Sequence, residues 1–224
     1  MIGKRIPVTI LAVQTIANIT PALRKELGLS SRQSSVGLIS TDCDDATYLA
    51  LDEATKKADV EVVYAKSLYA GAANASTKLA GEVIGILAGP SPSEVESGLA
   101  AAVSFLEGPV GFYTANEEED IVYLAHSVAR TGSYLSKTAN VKEGAALAYL
   151  IAPPVEALMG LDAAMKASDV ELVSFFPPPS ETNFAGGLLT GTESACLAAC
   201  DAFRTAVEKV AQSPRHTHGG LLWK

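Results

Sequence analysis

The sequence predicts a mixed α/β protein in which one unit occurs twice, and three observations predict it. First, residues 52–63 (DEATKKADVEVV) return at 162–173 (DAAMKASDVELV), an offset of 110 residues, with seven identities in twelve and no gap. The identical pairs begin at Asp52/Asp162 and end at Val63/Val173. Second, the flanks agree in type. VGLIS (36–40) precedes the first copy and AYLIA (148–152) the second, and each copy runs on into a loop rich in Gly, Ser or Pro. Third, short apolar runs alternate with helical stretches opened by capping residues, the pattern of strands and helices in one layered fold.

The elements follow in order. VTILAVQTI (8–16) is a β-branched apolar strand. Thr20 is an N-cap with Pro21 at the first helical position, and that short helix closes at Gly28. VGLIS is the next strand, followed by a helix over 44–57, a strand over 60–65 and a buried strand over 81–89. Ser91-Pro92-Ser93-Glu94 is a capping box that opens a helix ending near Leu106. Gly108-Pro109 ends that helix, which places the boundary between the units near 107–111. The second unit is expected as a strand over 109–114, a helix over 117–136 with Asn116 as its N-cap, and a strand over 146–152. A helix to Ser168, strands over 170–176 and 184–190, and a last helix over 193–211 complete it. This order implies antiparallel or mixed sheets with helices on one side, an α/β (α+β) class for which duplicated ferredoxin-like units fit. The domains are read as 1–109 and 110–212, with a patternless tail at 213–224.

Composition narrows the function. Net charge is −8 over 224 residues, which disfavours binding to nucleic-acid phosphates and favours small cations as ligands. Apolar residues make up 48% and charged residues 19%, a surface compatible with burial against copies of the same chain. Three cysteines, Cys43, Cys196 and Cys200, make no disulfide framework. No run is long enough to span a bilayer and the start lacks a signal-peptide pattern, so a cytoplasmic protein without membrane contact is expected.

Catalytic constellations are scarce. There is no nucleophile elbow, phosphate loop or H-E-x-x-H motif, and His126 is the only histidine outside the tail. Asp44-Asp45 follow a strand. They are either acids placed in a first helical turn to suit the helix dipole or part of a cation pocket with Glu82. Glu82 interrupts an apolar strand, and a carboxylate there needs a partner, either a cationic ligand or Arg130. The run 117–120 (EEED) reads as a solvated helix start, and Phe175-Phe176 followed by Pro177-Pro178-Pro179 as a stiff loop or edge.

The segments SSVGLISTDCDDATYLALDEATKKADVEVVYAKSLYAGAA, GEVIGIL, LAHSVARTGSYLS, LIAPPVEA and FFPPPSETNFAGGLLTG resemble the EutL family of ethanolamine-utilisation microcompartment shell proteins. The resemblance runs over about residues 5–212. It implies two circularly permuted microcompartment domains per chain and three chains in a pseudohexameric tile. The partners it implies are two further copies of the chain and other shell proteins, within a shell in the cytoplasm. It implies a shell component and not an enzyme, with no cofactor and a gated central pore, and with smaller pores that bind ethanolamine. Ligand contacts carried over by the resemblance are Asp44, Asp45 and Glu82, backbone groups of Phe112, and the pocket-wall residues Tyr69, Arg130 and Thr182. Zinc accompanies the open form in the family; His126 and Glu156 are the only residues here to consider for it, and no metal site is assigned. Two other readings use the same residues: a soluble small-amine sensor or enzyme built on the acids and His126, and a purely structural tile.

Overall fold

The computed structural model describes residues 1–67, 83–178, 180, 183–217 and 220–221. In chain order the elements are β1 (Arg5–Ile6), β2 (Ile10–Ile16), α1 (Pro21–Glu26), β3 (Ser35–Thr41), α2 (Asp44–Lys57), β4 (Glu61–Ser67), β5 (Val83–Gly89) and α3 (Pro92–Glu107). Then come β6 (Phe112–Thr114), β7 (Val122–Val128), α4 (Ser133–Ala139), β8 (Ala146–Ala152), α5 (Pro154–Ala167), β9 (Val170–Phe176), β10 (Ala185–Gly191) and α6 (Glu193–Gln212). A small hairpin, β11 (His216–Thr217) with β12 (Gly220–Leu221), lies in the segment that carried no sequence pattern.

The chain forms two compact units. The first comprises Pro7–Gly111 and Thr131–Gly144, the second Met1–Ile6, Phe112–Arg130 and Ala145–Lys224. The first unit is an antiparallel sheet ordered β2-β3-β5-β4. Counted from β3, it is a β-α-β-β-α-β unit whose fourth strand, β2, comes from the front of the chain: a circularly permuted ferredoxin-like arrangement. Side chains alternate across the sheet. Gly37 and Gly85 face the helices, where a Cβ on either would lie under 3.0 Å from Leu99 of α3 or Leu51 of α2. Val36, Ile86 and Ala88 face the other way and form a second cluster with Ile19, which Leu27 and Leu29 join from the chain around α1.

The second unit repeats the design. Its sheet is ordered β1-β6-β7-β8-β10-β9, in which β7-β8-β10-β9 matches β2-β3-β5-β4 strand for strand. Leu150, Ala148 and Leu189 pack with Ala157, Leu161, Ala199 and Phe203 of the two helices. α5 and α6 approach closely because Gly160 has no side chain: a Cβ there would lie 2.6 Å from the Phe203 ring. The repeat extends to an irregularity. Val63 is an extra residue between the pairs Val62↔Leu87 and Tyr64↔Ile86, and Val173 is the extra residue between Leu172↔Leu189 and Ser174↔Leu188. One β-bulge has been kept at the same position of both copies.

The helix expected over 117–136 is not formed. Residues 122–128 are the strand β7, paired with β8, and only Ser133–Ala139 is helical. The misleading signal was Asn116, which does cap backbone N–H groups, but those of a tight turn. Its Oδ1 accepts from Asp120 and Ile121 N–H (3.2 Å each), and Glu119 takes the left-handed conformation at φ 60°. His126 therefore sits on a strand opposite Tyr149. The capping box at Ser91 is half formed. Ser91 Oγ accepts from Glu94 N–H (3.3 Å), while the Glu94 carboxylate accepts instead from Asp59 N–H (2.8 Å), tying α3 to the turn before β4.

Candidate functional site

The start of α2 is built by β3 and the chain that leaves it. Thr41, the last residue of β3, accepts from Cys43 N–H through Oγ1 (3.1 Å) and lies 2.7 Å from Thr47 Oγ1. Thr47 Oγ1 donates to the Cys43 carbonyl (2.8 Å). These two threonines hold the first turn, since Cys43 at the N-cap makes no side-chain cap. Asp42 faces back and accepts from Thr9 N–H (2.7 Å).

Asp44 and Asp45 then occupy the first turn, a position that the helix dipole makes favourable for acidic side chains. Asp45 is buried and Asp44 half-buried. Asp44 Oδ1 accepts from Asp45 N–H (2.8 Å), and Oδ2 accepts from Ser67 Oγ at the end of β4 (2.5 Å). Tyr48 OH lies 3.0 Å from Ser67 Oγ. With the serine proton committed to Asp44, the tyrosine is the donor to Ser67, and a chain Tyr48→Ser67→Asp44 feeds the carboxylate. The Tyr48 ring is tilted against Tyr134 of α4, 6.3 Å between centroids. The Cys43 thiol beside these acids is pushed up by burial, and Asp45, Asp44 and Asp42 add to the shift. It is a neutral thiol rather than a nucleophile. Two adjacent carboxylates backed by a fixed donor chain suit a compact cation with several N–H donors.

Tyr48 and Ser67 were not anticipated from the sequence. The available signal was spacing: Tyr48 stands four residues after Asp44 on one helix, and Ser67 ends the strand VEVVYAKS. Phe112 and Arg130 belong to the second unit. Phe112 opens β6, pairs with Ile6 and sets its ring 5.4 Å from that of Phe184, while Arg130 is exposed in the bend after β7. Tyr69, Glu82 and Thr182 lie outside the described residues.

Among the described residues no three His, Cys, Asp or Glu side chains gather as a metal site. No described helix is long and apolar enough to cross a membrane. Cys196 and Cys200 are buried on α6, and burial pushes the Cys200 thiol up to about 12.

Residues 35–116 match the family whose description is BMC domain. The bacterial microcompartment shell protein EutL of Clostridium perfringens is 64% identical over 205 residues, covering 92% of this chain and 94% of its own length. The crystal structure of the ethanolamine utilization protein EutL from Leptotrichia buccalis superposes with a TM-score of 0.94 at 60% identity, over 97% of this chain and 100% of that one. A trimeric bacterial microcompartment shell protein, PduB, shares the fold at 18% identity with a TM-score of 0.72, over 89% of this chain and 88% of that one. With two permuted α+β units and near-full-length identity of this order, the chain belongs to the EutL family of bacterial microcompartment shell proteins, structural components and not enzymes.

Proposed function

We propose that this shell protein acts as a trimeric tile with a gated central opening, and that the start of α2 is a small-pore site for ethanolamine. The reading takes 1–109 and 110–212 as its two microcompartment domains. Asp44 and Asp45 are the observation that carries it: two carboxylates in one helical turn, one buried and the other fed by the Tyr48–Ser67 donor chain. Ethanolamine presents a compact ammonium with three donors, which such carboxylates accept through charge-assisted bonds. Glu82 supplies the third acid in this reading, Phe112 backbone contacts to the hydroxyl, and Tyr69, Arg130 and Thr182 the pocket wall. Ligand control of the gate requires tighter binding to one state than to the other. A trimer is supported by the duplicated chain and by the trimeric relative of the same fold.

Calorimetric titration of ethanolamine into the intact protein tests the site. Asp45→Ala and Glu82→Ala are each expected to weaken binding by roughly tenfold to a hundredfold, the loss of a charged hydrogen bond. Unchanged affinity in both variants removes the site. Light scattering tests the tile: three 23.2 kDa chains give about 70 kDa.

A further inference from the structure

Asp44 heads a stripe along α2. Tyr48, Asp52 and Thr55 follow it at i+4, i+8 and i+11, so the four lie on one face of the helix. α2, β4 and α4 belong to one compact unit. The first two members of the stripe join Ser67 in the donor chain that ends on Asp44. The last two hold α4. The Asp52 carboxylate accepts from Gly132 N–H and Leu135 N–H (2.8 Å each), and Thr55 Oγ1 accepts from Ser133 N–H (3.1 Å). These three N–H groups come from the N-cap and first turn of α4, where a helix has no partners of its own for them. The approach is close: a Cβ at Gly132 would meet Thr55 Oγ1 and the Asp52 carbonyl at 2.6 Å or less. Asp52 and Leu135 are both buried, each 1% exposed.

Tyr134 stands between Ser133 and Leu135, in the middle of this clamp. Its ring lies 6.3 Å from that of Tyr48 at an angle of 48°, within the range where tilted rings attract. A tyrosine side chain turns about two torsions, and a ring held beside it by the clamp limits Tyr48 to the position that brings its hydroxyl to Ser67. Ser67 Oγ carries a single proton. With Tyr48 donating to that oxygen, the proton is directed at Asp44 Oδ2, and donors in series strengthen one another. Asp44 Oδ1 is fixed independently by Asp45 N–H. The carboxylate is thus set before a cation arrives, which lowers the ordering cost of binding. The other copy of the repeat shows both features missing together. Its stripe reads Pro154, Leu158, Asp162 and Met165, without the acid or the tyrosine, and Asp162 pairs with Lys166 at the surface. Leu158 and Met165, with Val155 in place of Asp45, are exposed on α5.

We infer that Tyr134 is a positioning residue for the acidic site. Clamped over α2 by Asp52 and Thr55, it sets the Tyr48 hydroxyl, which through Ser67 holds the Asp44 carboxylate in the orientation that accepts a small ammonium ligand. The inference rests on the reading of Asp44 and Asp45 as a site for ethanolamine, and it names what tunes that site. Tyr134 acts through the Tyr48 hydroxyl alone, so its contribution to binding exists only while that hydroxyl is present.

The test is a double-mutant cycle on the full-length protein, read by calorimetric titration of ethanolamine. Tyr48→Phe keeps the ring and removes the hydroxyl, and is expected to weaken binding about threefold to tenfold, the worth of one ordinary hydrogen bond. Tyr134→Ala is expected to weaken it to a similar degree, and Tyr134→Phe to restore it to within about twofold of the unaltered protein, since the ring is what holds Tyr48. Combined with Tyr48→Phe, Tyr134→Ala should cost nothing further. A merely structural tyrosine would instead give losses that add. Should Tyr134→Ala fail to fold, Tyr134→Leu keeps apolar bulk without the flat ring and takes its place in the cycle. Additive losses, or unchanged affinity in either single variant, overturn the inference and leave the acidic site standing. An unaltered protein that does not bind ethanolamine overturns the site and the inference with it.

Discussion

Asp52 and Asp162 are one residue of the repeat in two surroundings. Asp162 lies at the surface and pairs with Lys166 (2.6 Å). Asp52 is buried, and burial raises its pKa above the ordinary carboxylate value against the lowering pull of the Gly132 and Leu135 N–H groups and Lys56. Asparagine keeps one acceptor for the two N–H groups and sets its NH2, a donor that cannot accept, against the other, whereas a protonated carboxyl still has a lone pair on each oxygen. Asp52→Asn is therefore expected to cost about 1–3 kcal/mol in urea unfolding, the penalty for a buried donor left unpaired. The sign of the pH dependence follows from the raised value. A carboxyl with a raised folded pKa contributes stability that is fully present below its unfolded value, about 4, and is lost as pH rises through the folded value. The gap between wild type and Asp52→Asn is widest at low pH and narrows toward neutrality. A gap that widens with pH contradicts this account. The identity of the two aspartates is plain in the sequence. Their different burial is not, because it depends on which repeat has a helix lying over it.

At the scale of elements, the strands and helices of the repeated core were readable because capping and periodicity agree there. α2, β8 and β9 fall where the patterns put them. β7 was misread because VYLAHSV carries a helix-compatible composition, and its strand state comes from pairing with β8, a partner more than twenty residues away. The candidate site divided in the same way. The acids could be found as a pair, whereas the Ser67 link to Asp44 needs β4 and α2 to be side by side. Two predictions belong here. Gly160→Ala gains up to about 1 kcal/mol of helix propensity but overpacks the Phe203 ring, a cost of about 1–3 kcal/mol, so the melting temperature should fall. A rise in melting temperature would show that α5 and α6 can move apart freely. The second concerns β1. Glu119 is held below the usual carboxylate range by its hydrogen bond to Lys4 (2.6 Å) and by the chain's amino terminus. This tie is present above the ordinary carboxylate pKa and is lost as pH falls through the lowered one. Amide exchange at Thr114, whose N–H donates to the Lys4 carbonyl, should accelerate below about pH 4 after correction for intrinsic rates. Protection unchanged down to pH 2.5 would mean the pairing with β6 suffices alone.

For the whole molecule, duplication has allowed the halves to diverge. Where the first copy has Asp44, Asp45, Tyr48 and Ser67, the second has Pro154, Val155, Leu158 and Pro177. All four of these polar side chains are replaced by apolar ones. Ethanolamine should accordingly bind with a stoichiometry of one per chain, and a calorimetric value of two would mean that the second half supplies a site of another kind. The exposed α5 face is the reverse of this loss, since apolar residues there suit contact with protein rather than with a solvated cation.

The matched bulges at Val63 and Val173 make the chain its own reference. Two valines of the same repeat position are the extra residues of matching bulges, one on the strand that ends at Ser67 and the other on the corresponding strand of the second unit. Methyl labelling of valine therefore installs a reporter and a matched blank in a single sample. A ligand at the acids should move the Val63 resonance and leave Val173 still, and a change of buffer or temperature should move both.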